Sequence, residues 1–186
     1  MSSYSSVAAM FRARVQDTPS HVAFKAPRAD DSWEDITWKE VDRRVRAVAG
    51  GLRALGMESG SRASLLCSTR VDWLVIDVAI NCAGGATTTI YPSSTVEDTQ
   101  FIADNSGSAF VFAEDESQTA KLLEKRDELQ GVQRVIQIDG PTVDDDWVIA
   151  LSELNAMGEE WNEANEGALD KVIDDIKPSD LATLIY

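Results

Sequence analysis

The chain has 186 residues, of which 44% are hydrophobic, and this is enough to form one core of a single domain. Its formal net charge of −15 repels phosphate backbones and anionic membrane surfaces, so we expect no nucleic-acid partner. The apolar run 71–83 is too short to span a bilayer and contains Asp72, Asp77 and Asn81. It therefore predicts a buried helix, and no transmembrane segment is expected.

The first 38 residues are predicted to form a helix followed by a β-hairpin. Apolar side chains recur at helical spacing from Ser5 to Val15, which predicts the helix. Two strand-like runs, HVAFKA at 21–26 and DSWEDITW at 31–38, flank the turn-prone PRAD and predict the hairpin.

A long helix is predicted to follow the hairpin. The run TWKE at 37–40 fits a capping box, in which the Thr37 hydroxyl accepts from a first-turn amide and Glu40 reaches back to the Thr37 amide. An apolar stripe continues from Val41 to Leu55, and Gly56 is well placed to end the helix in a left-handed conformation.

From 61 to 138 the chain alternates between short apolar strands and helices. Strands are predicted at 62–68, 86–91, 108–113 and 132–138, and helices at 71–85, 93–107 and 116–129. Ser94 and Glu97 fit a second capping box. Near-continuous apolar strands that alternate with helices predict an α/β fold, with a largely parallel sheet and helices on both faces.

The remaining residues are less regular. Residues 139–178 are predicted to form an acidic surface excursion, with one short helix within 144–158 and another within 163–177. The triplet DDD at 144–146 lacks the spaced oxygen ligands and turn glycine of a calcium loop, so we expect solvated acids there. The run SDLATLIY at 179–186 predicts a buried strand.

Few side chains suggest a functional site. His21 is the one histidine and is interpreted as a structural or surface residue. Ser68, Thr69, Ser93 and Ser94 lie just past predicted strand ends, where α/β sheets bind ligands. The same four residues are in position to cap helices, and capping is the favoured interpretation. The residues alone therefore assign no catalytic, cofactor-binding or metal-binding side chain.

The two cysteines bear on location. Cys67 and Cys82 both lie in apolar segments, which predicts two buried thiols in a reducing compartment and no disulfide framework. The first residues show no basic stretch followed by a continuous apolar core, so no secretory signal is expected. Together these features predict a cytoplasmic protein.

The order of these segments resembles the N-terminal part of the AMP-forming acyl-CoA synthetases, in the adenylate-forming superfamily. The similar runs are TWKE at 37–40, GLRALGMESGSRASLL at 51–66 and IYPSSTVEDTQFIADNS at 90–106. The resemblance covers Phe11 to Val135 and resumes at SDLATLIY. The IYPSST turn is most similar to the long-chain fatty acyl-CoA ligases.

The resemblance implies the reaction and its cofactors. Enzymes of this family join a carboxylate to AMP and then transfer the acyl group to coenzyme A. For the full-length enzyme it implies ATP, Mg²⁺, coenzyme A and a small-molecule carboxylic acid, a fatty acid. In the family the strand like SDLATLIY runs into a phosphate loop, which here would lie beyond Tyr186. No catalytic residue is therefore carried over, and Tyr186 itself is expected to pack in the core.

On this resemblance, residues 1–186 are expected to be the N-terminal portion of the AMP-binding large domain. Such a fragment is expected to be inactive alone and to bind none of the cofactors. An uncovered sheet edge would then favour self-association. Two alternatives stay open, a non-catalytic interaction module derived from the same fold and an adenylation domain for another carboxylic acid.

Overall fold

The chain folds into eight strands and seven helices within residues 4–28 and 30–186, which the computed structural model describes. In chain order they are α1 (Val7–Asp17), β1 (Val22–Pro27), β2 (Trp33–Thr37), α2 (Trp38–Ala54), β3 (Arg62–Leu66), α3 (Val71–Cys82), β4 (Ala86–Ile90), α4 (Val96–Asn105), β5 (Ser108–Ala113), α5 (Glu116–Glu124), β6 (Arg134–Gln137), β7 (Val148–Ala150), α6 (Leu151–Ala164), α7 (Ala168–Asp175) and β8 (Thr183–Leu184). One 3₁₀ turn, Arg126–Glu128, follows α5.

Six of the strands form one parallel sheet in the order β7-β6-β5-β3-β4-β8. The predicted α/β fold with a largely parallel sheet is thereby confirmed. β1 and β2 pair antiparallel as a separate two-stranded sheet, which confirms the predicted hairpin.

Helices cover both faces of the six-stranded sheet, as predicted. Strand β5 illustrates this because its side chains alternate between two hydrophobic clusters. Phe110 and Phe112 belong to the cluster that includes residues of α2 and α3. Val111 and Ala113 belong to the cluster that includes residues of α4 and α5. A strand that is apolar on both faces needs cover on both faces.

Helix α2 begins with a half-formed capping box. The Thr37 hydroxyl accepts a hydrogen bond from the Glu40 amide at 3.3 Å, as predicted. The Glu40 carboxylate does not return to the Thr37 amide; it accepts from Arg43 at 3.0 Å and from Arg44 at 2.8 Å. That half of the prediction is wrong because charge-assisted bonds to guanidinium groups are stronger than a bond to a neutral amide. Gly56, with φ 91°, follows the helix as predicted.

The second predicted capping box is wrong by one residue. The N-cap of α4 is Thr95, whose hydroxyl accepts from the Asp98 amide at 3.1 Å. Ser94 instead lies in the preceding turn, and its carbonyl accepts from Lys121. Both T-x-x-D and S-x-x-E fit the capping pattern, so the pattern does not fix the register.

The acidic stretch 139–178 contributes a strand and two helices to the fold. β7 pairs with β6 at the sheet edge, and α6 follows it directly. A helix lies within 144–158 as predicted, but α6 begins directly after the three residues of β7 and continues beyond 158 to Ala164, so it is longer than predicted. The helix predicted within 163–177 is confirmed as α7.

Helix α6 packs on α2 at unusually short range. A Cβ atom placed on Gly158 would lie 1.8 Å from the Ala47 carbonyl oxygen. One placed on Gly51 would lie 2.3 Å from the Leu154 carbonyl oxygen. Real Cβ atoms do not approach oxygen this closely, so glycines at the crossing are what lets the two backbones meet.

The last strand is short and exposed. β8 pairs with β4 through two residues, and Ile185 is 83% exposed. The predicted buried strand over 179–186 is therefore wrong in extent and burial. Within the described residues β8 is the last strand of the sheet on that side, so its outer edge faces solvent.

The remaining expectations concern α3 and the cysteines. The run 71–83 forms the buried helix that was predicted, with Val75, Ile76, Ala79 and Ile80 in the core. No helix in the described part of the chain has the length and apolarity needed to cross a membrane. Cys67 and Cys82 are both buried free thiols, as predicted.

Candidate functional site

The carboxyl edge of the parallel sheet is the candidate functional site. Ligands of open α/β sheets bind at this edge, where neighbouring strands send the chain in opposite directions. β3 and β5 are such neighbours, because the chain continues from β3 to β4 on one side and from β5 to β6 on the other. The loops 67–70 and 114–115 therefore border the switch-point crevice.

The side chain of Glu114 bridges this crevice. Its carboxylate accepts from the Ser68 amide at 2.9 Å and from the Ser68 hydroxyl at 2.5 Å. The predicted capping role of Ser68 is wrong, since the N-cap of α3 is Arg70 and makes no side-chain capping bond. Thr69 is exposed and does not cap α3 either. The Ser68 amide and hydroxyl act as donors to Glu114, whereas a capping side chain accepts from helix amides.

Arg70 ties three strand-end loops together. Its guanidinium lies 2.7 Å from the Asp72 carboxylate and 3.7 Å from that of Glu114, and it also binds Asp139. The hydrogen bond to Asp139 is the main cause that raises the pKa of Arg70. Three carboxylates around one guanidinium leave the crevice locally negative, which disfavours an anion at this position.

The thiol beside this cluster is unreactive. Cys67 is buried, and its Sγ donates to the Ser68 carbonyl at 3.3 Å. Burial, followed by the charge of Glu114, raises the pKa of Cys67 to about 12. A thiol that stays protonated at neutral pH is a poor nucleophile.

Lys121 holds the turn that follows β4. Its ammonium donates to the carbonyl of Pro92 at 2.7 Å and to that of Ser94 at 2.8 Å. Ser93 is exposed and Ser94 is half-buried, and neither caps α4, whose N-cap is Thr95. The predicted capping role of Ser93 and Ser94 is therefore wrong.

Tyr186 lies beyond β8 and contacts α4. Its hydroxyl donates to Asn105 at 2.7 Å, and its ring packs edge-on against Phe101 with ring centroids 6.5 Å apart. The side chain is 47% exposed, so the predicted core position is wrong. An edge strand has a neighbour on one side, and this leaves its side chains half covered.

Two other predicted positions lie away from the edge. His21 is exposed at the start of the hairpin, which confirms its interpretation as a surface residue. In the acidic triplet, Asp145 and Asp146 bind Arg126 at 3.0 and 2.8 Å. No group of three or more His, Cys, Asp or Glu side chains within 4–28 and 30–186 is arranged to hold a metal ion.

The four charged residues at this edge, Arg70, Glu114, Lys121 and Asp139, are absent from the sequence-based candidates. Glu114 directly follows β5, and Asp139 lies two residues after β6. The rule that selected Ser68 and Ser93 from strand ends also selects these two acids. Lys121 carries no such signal, because its role depends on how α5 lies beside the turn 91–94.

Known proteins match this chain along most of its length. A family model described as "AMP-binding enzyme" matches residues 11–186. The long-chain-fatty-acid–CoA ligase FadD15 of Mycobacterium bovis is 30% identical over 183 residues, covering 98% of this chain and 29% of that ligase. The long-chain-fatty-acid–CoA ligase ACSBG2 of Xenopus laevis is 25% identical over 178 residues, covering 95% of this chain and 24% of that ligase. The chain therefore spans less than a third of the length of these relatives.

A solved structure shares the fold. The acetoacetyl-CoA synthetase from Streptomyces lividans superposes with a TM-score of 0.69 at 22% identity, covering 81% of this chain and 25% of that chain. The fold described above is thus shared with that synthetase. Since the family model extends over nearly the whole sequence, the chain belongs to the family of AMP-binding enzymes.

Proposed function

We propose that the whole protein is an ATP-dependent fatty-acid–CoA ligase and that residues 1–186 form the N-terminal portion of its AMP-binding domain. The observation that carries this proposal is the 30% identity with a long-chain-fatty-acid–CoA ligase along 98% of this chain. The substrate class is a carboxylic acid with an acyl tail, and the cofactors are ATP, Mg²⁺ and coenzyme A.

The reaction has two steps that balance without further reagents. A carboxylate oxygen attacks the α-phosphorus of ATP, and pyrophosphate leaves. The thiol of coenzyme A then attacks the acyl carbonyl of the adenylate, a thioester forms, and AMP leaves with the bonding electron pair. Mg²⁺ would offset the charge of the phosphates.

The residues of this chain do not fit a site for these cofactors. Within the described residues no side-chain set is arranged for a metal, and the switch-point carboxylates already bind Arg70 and Ser68. The locally negative crevice also opposes phosphate. We therefore assign no catalytic or cofactor-binding residue to 1–186 and expect this chain alone to be inactive and to hold none of the cofactors. Its role in the proposal is structural, with 179–186 leading from the sheet to a phosphate loop.

Hydroxamate trapping tests the proposal. The protein encoded by the complete open reading frame is incubated with ATP, Mg²⁺ and hydroxylamine. Fatty, short-chain, aryl and amino acids are tested in parallel, and the 186-residue chain is assayed in the same way. We expect fatty hydroxamates from the complete protein and none from the 186-residue chain. Robust product from the 186-residue chain would contradict its inactivity, and no product from the complete protein with any acid would contradict the ligase.

The same assay separates the two alternatives. Hydroxamates from amino or aryl acids, with none from fatty acids, would indicate an adenylation domain for another acid. One observation favours a non-catalytic module. The charged side chains at the switch point, Arg70 and Glu114, form an ion pair with each other and are not left free for a ligand in the crevice. Such a module would give no product with any acid.

We also propose a cytoplasmic location and self-association of this chain. Cys67 and Cys82 are buried free thiols, which is typical of proteins in a reducing compartment. Self-association is supported by exposed apolar side chains beside the open edge of β8, among them Phe101, Ile185 and Tyr186.

A further inference from the structure

An apolar groove of about 660 Å³ lies between α1, the hairpin, α2 and α3. Three of its aromatic lining residues form one cluster, in which the ring centroid of Trp38 lies 6.3 Å from that of Phe11 and 6.0 Å from that of Phe24. Leu74 and Val78 line it from α3. Small-molecule sites are concave, mostly apolar and about 300–1,000 Å³ in volume, and this groove has those properties.

One end of the groove carries two charged side chains that form no ion pair within the described residues. Arg14 makes one long side-chain bond, to the Thr18 hydroxyl at 3.5 Å, and Asp17 lies on the same last turn of α1. The guanidinium thus has N–H groups available for a carboxylate, which it matches in a two-bond geometry. Because Asp17 balances its charge, the attraction would come from these hydrogen bonds and not from a positive field.

We propose that this groove binds a free fatty acid, with the carboxylate on Arg14 and the acyl tail along the aromatic cluster. The choice of an acyl ligand rests on the proposed function, and the apolar lining with a single guanidinium at one end supports it independently. The loops 67–70 and 114–115 at the sheet's carboxyl edge do not line this groove. The inference therefore adds a fatty-acid site on the α1–hairpin side of the molecule.

Trp38 reports directly on the groove. This chain, without ATP or coenzyme A, is titrated with a fatty acid brominated in mid-chain, below its micellar concentration, and tryptophan fluorescence is followed. We expect saturable quenching that is mostly lost in Trp38→Phe. Quenching that persists in Trp38→Phe, or no saturable quenching, would overturn the proposal.

Variants at exposed positions locate the tail without endangering the fold. Met10 lines the groove and is 50% exposed, so Met10→Glu should fold and weaken binding at least tenfold. Phe101→Glu, a matched change of an exposed apolar residue beside β8, should leave binding unchanged. Equal weakening by both variants would overturn the proposal, as would Met10→Glu abolishing self-association while acyl binding stays the same.

Ligand series test the two ends of the proposed pose. Each added methylene should strengthen binding by about fourfold, and no dependence on chain length would contradict burial of the tail. Arg14→Gln should weaken binding of the acid but not of the matching alcohol, whereas Asp17→Asn should strengthen binding of the acid alone. An unchanged acid affinity in Arg14→Gln would overturn the head-group assignment.

The groove and the ligase proposals fail in different assays. Absent quenching would overturn the groove and leave hydroxamate formation by the complete protein untouched. Saturable quenching with an inactive complete protein would overturn the ligase and leave the groove.

Discussion

At the scale of single residues, carboxylates decide several local structures in this chain. Glu40 could have closed a capping box at Thr37 but accepts from Arg43 and Arg44 instead. Glu114 joins the loop after β5 to the loop after β3 by accepting hydrogen bonds from the amide and the hydroxyl of Ser68. In both cases the hydrogen bonds of the carboxylate, and not a capping motif, fix the local structure.

The ion pairs of Glu40 with Arg43 and Arg44 predict that stability depends on pH. Hydrogen bonds from Arg43 and then Arg44 lower the pKa of Glu40 from 4.5 to about 2. A lowered folded-state pKa stabilises the fold above the unfolded value, and this stabilisation disappears as pH falls from about 4.5 toward about 2. We expect Glu40→Gln to lower the free energy of unfolding at pH 6 and to match the parent near pH 2. Urea denaturation across this pH range measures the free energy of unfolding of both proteins. A difference between them that stays constant with pH would contradict the lowered pKa of Glu40.

At the level of single residues, the sequence correctly predicted that Thr37 caps the start of α2 and that Gly56 follows its end. Both features depend on neighbours within a few positions. It failed at Ser68, whose amide and hydroxyl bind Glu114 from the loop after another strand. It failed at Ser93 and Ser94 because the following Thr95 also fits the capping pattern and is the N-cap of α4. A sequence shows that a hydroxyl follows a strand, but not which distant carboxylate accepts from it.

At the scale of elements, the crossing of α2 and α6 links the acidic stretch to the core. Gly51 on α2 and Gly158 on α6 let the helix backbones approach until a Cβ would overlap a carbonyl oxygen. The pattern of 139–178, rich in acids, predicted a surface excursion and gave no sign of this contact. Its two helices were recognisable from the sequence, whereas their packing was not.

Substitution at the crossing should destabilise the fold. Gly158→Ala places a Cβ against the Ala47 carbonyl, and the strain should outweigh the better helix propensity of alanine. We expect a loss of about 1–3 kcal/mol in the free energy of unfolding, measured by chemical denaturation. Gly131→Ala is the control, since nothing lies within 4 Å of its added Cβ, and it should change stability by less than about 0.5 kcal/mol. Equal stabilities of the two variants would contradict the close crossing.

Strand prediction shows the same division between local and distant causes. The central strands are short runs rich in apolar and β-branched residues, and their positions were predicted to within a few residues. β7 escaped prediction because it is three residues long and joins α6 directly. The SDLATLIY strand was expected to be buried because its residues are apolar, but it lies at a sheet edge with β4 as its partner in the described structure.

At the scale of the whole molecule, exposed apolar side chains form two groups. One lies around α1 and the hairpin, and the other beside β8, where Ile185 is 83% exposed. A net charge of −15 opposes association of such surfaces at low salt, and salt screens that repulsion.

Apolar attraction opposed by charge repulsion predicts that self-association through the β8 edge increases with salt. Light scattering coupled to size-exclusion chromatography should show a larger mass for this chain as salt increases. Ile185→Lys should reduce the mass at high salt, whereas Trp33→Lys, at an exposed hairpin position, should not. A monomer at every salt and protein concentration would contradict the prediction.

The ligase proposal is tested most directly by ATP–pyrophosphate exchange in the complete protein. Exchange occurs when an acid is adenylated reversibly, so it reports the first chemical step without coenzyme A. We predict that labelled pyrophosphate enters ATP when a long-chain fatty acid is added, and that omitting the acid abolishes the exchange. No exchange with any fatty acid, in a folded complete protein supplied with Mg²⁺, would contradict the proposed function.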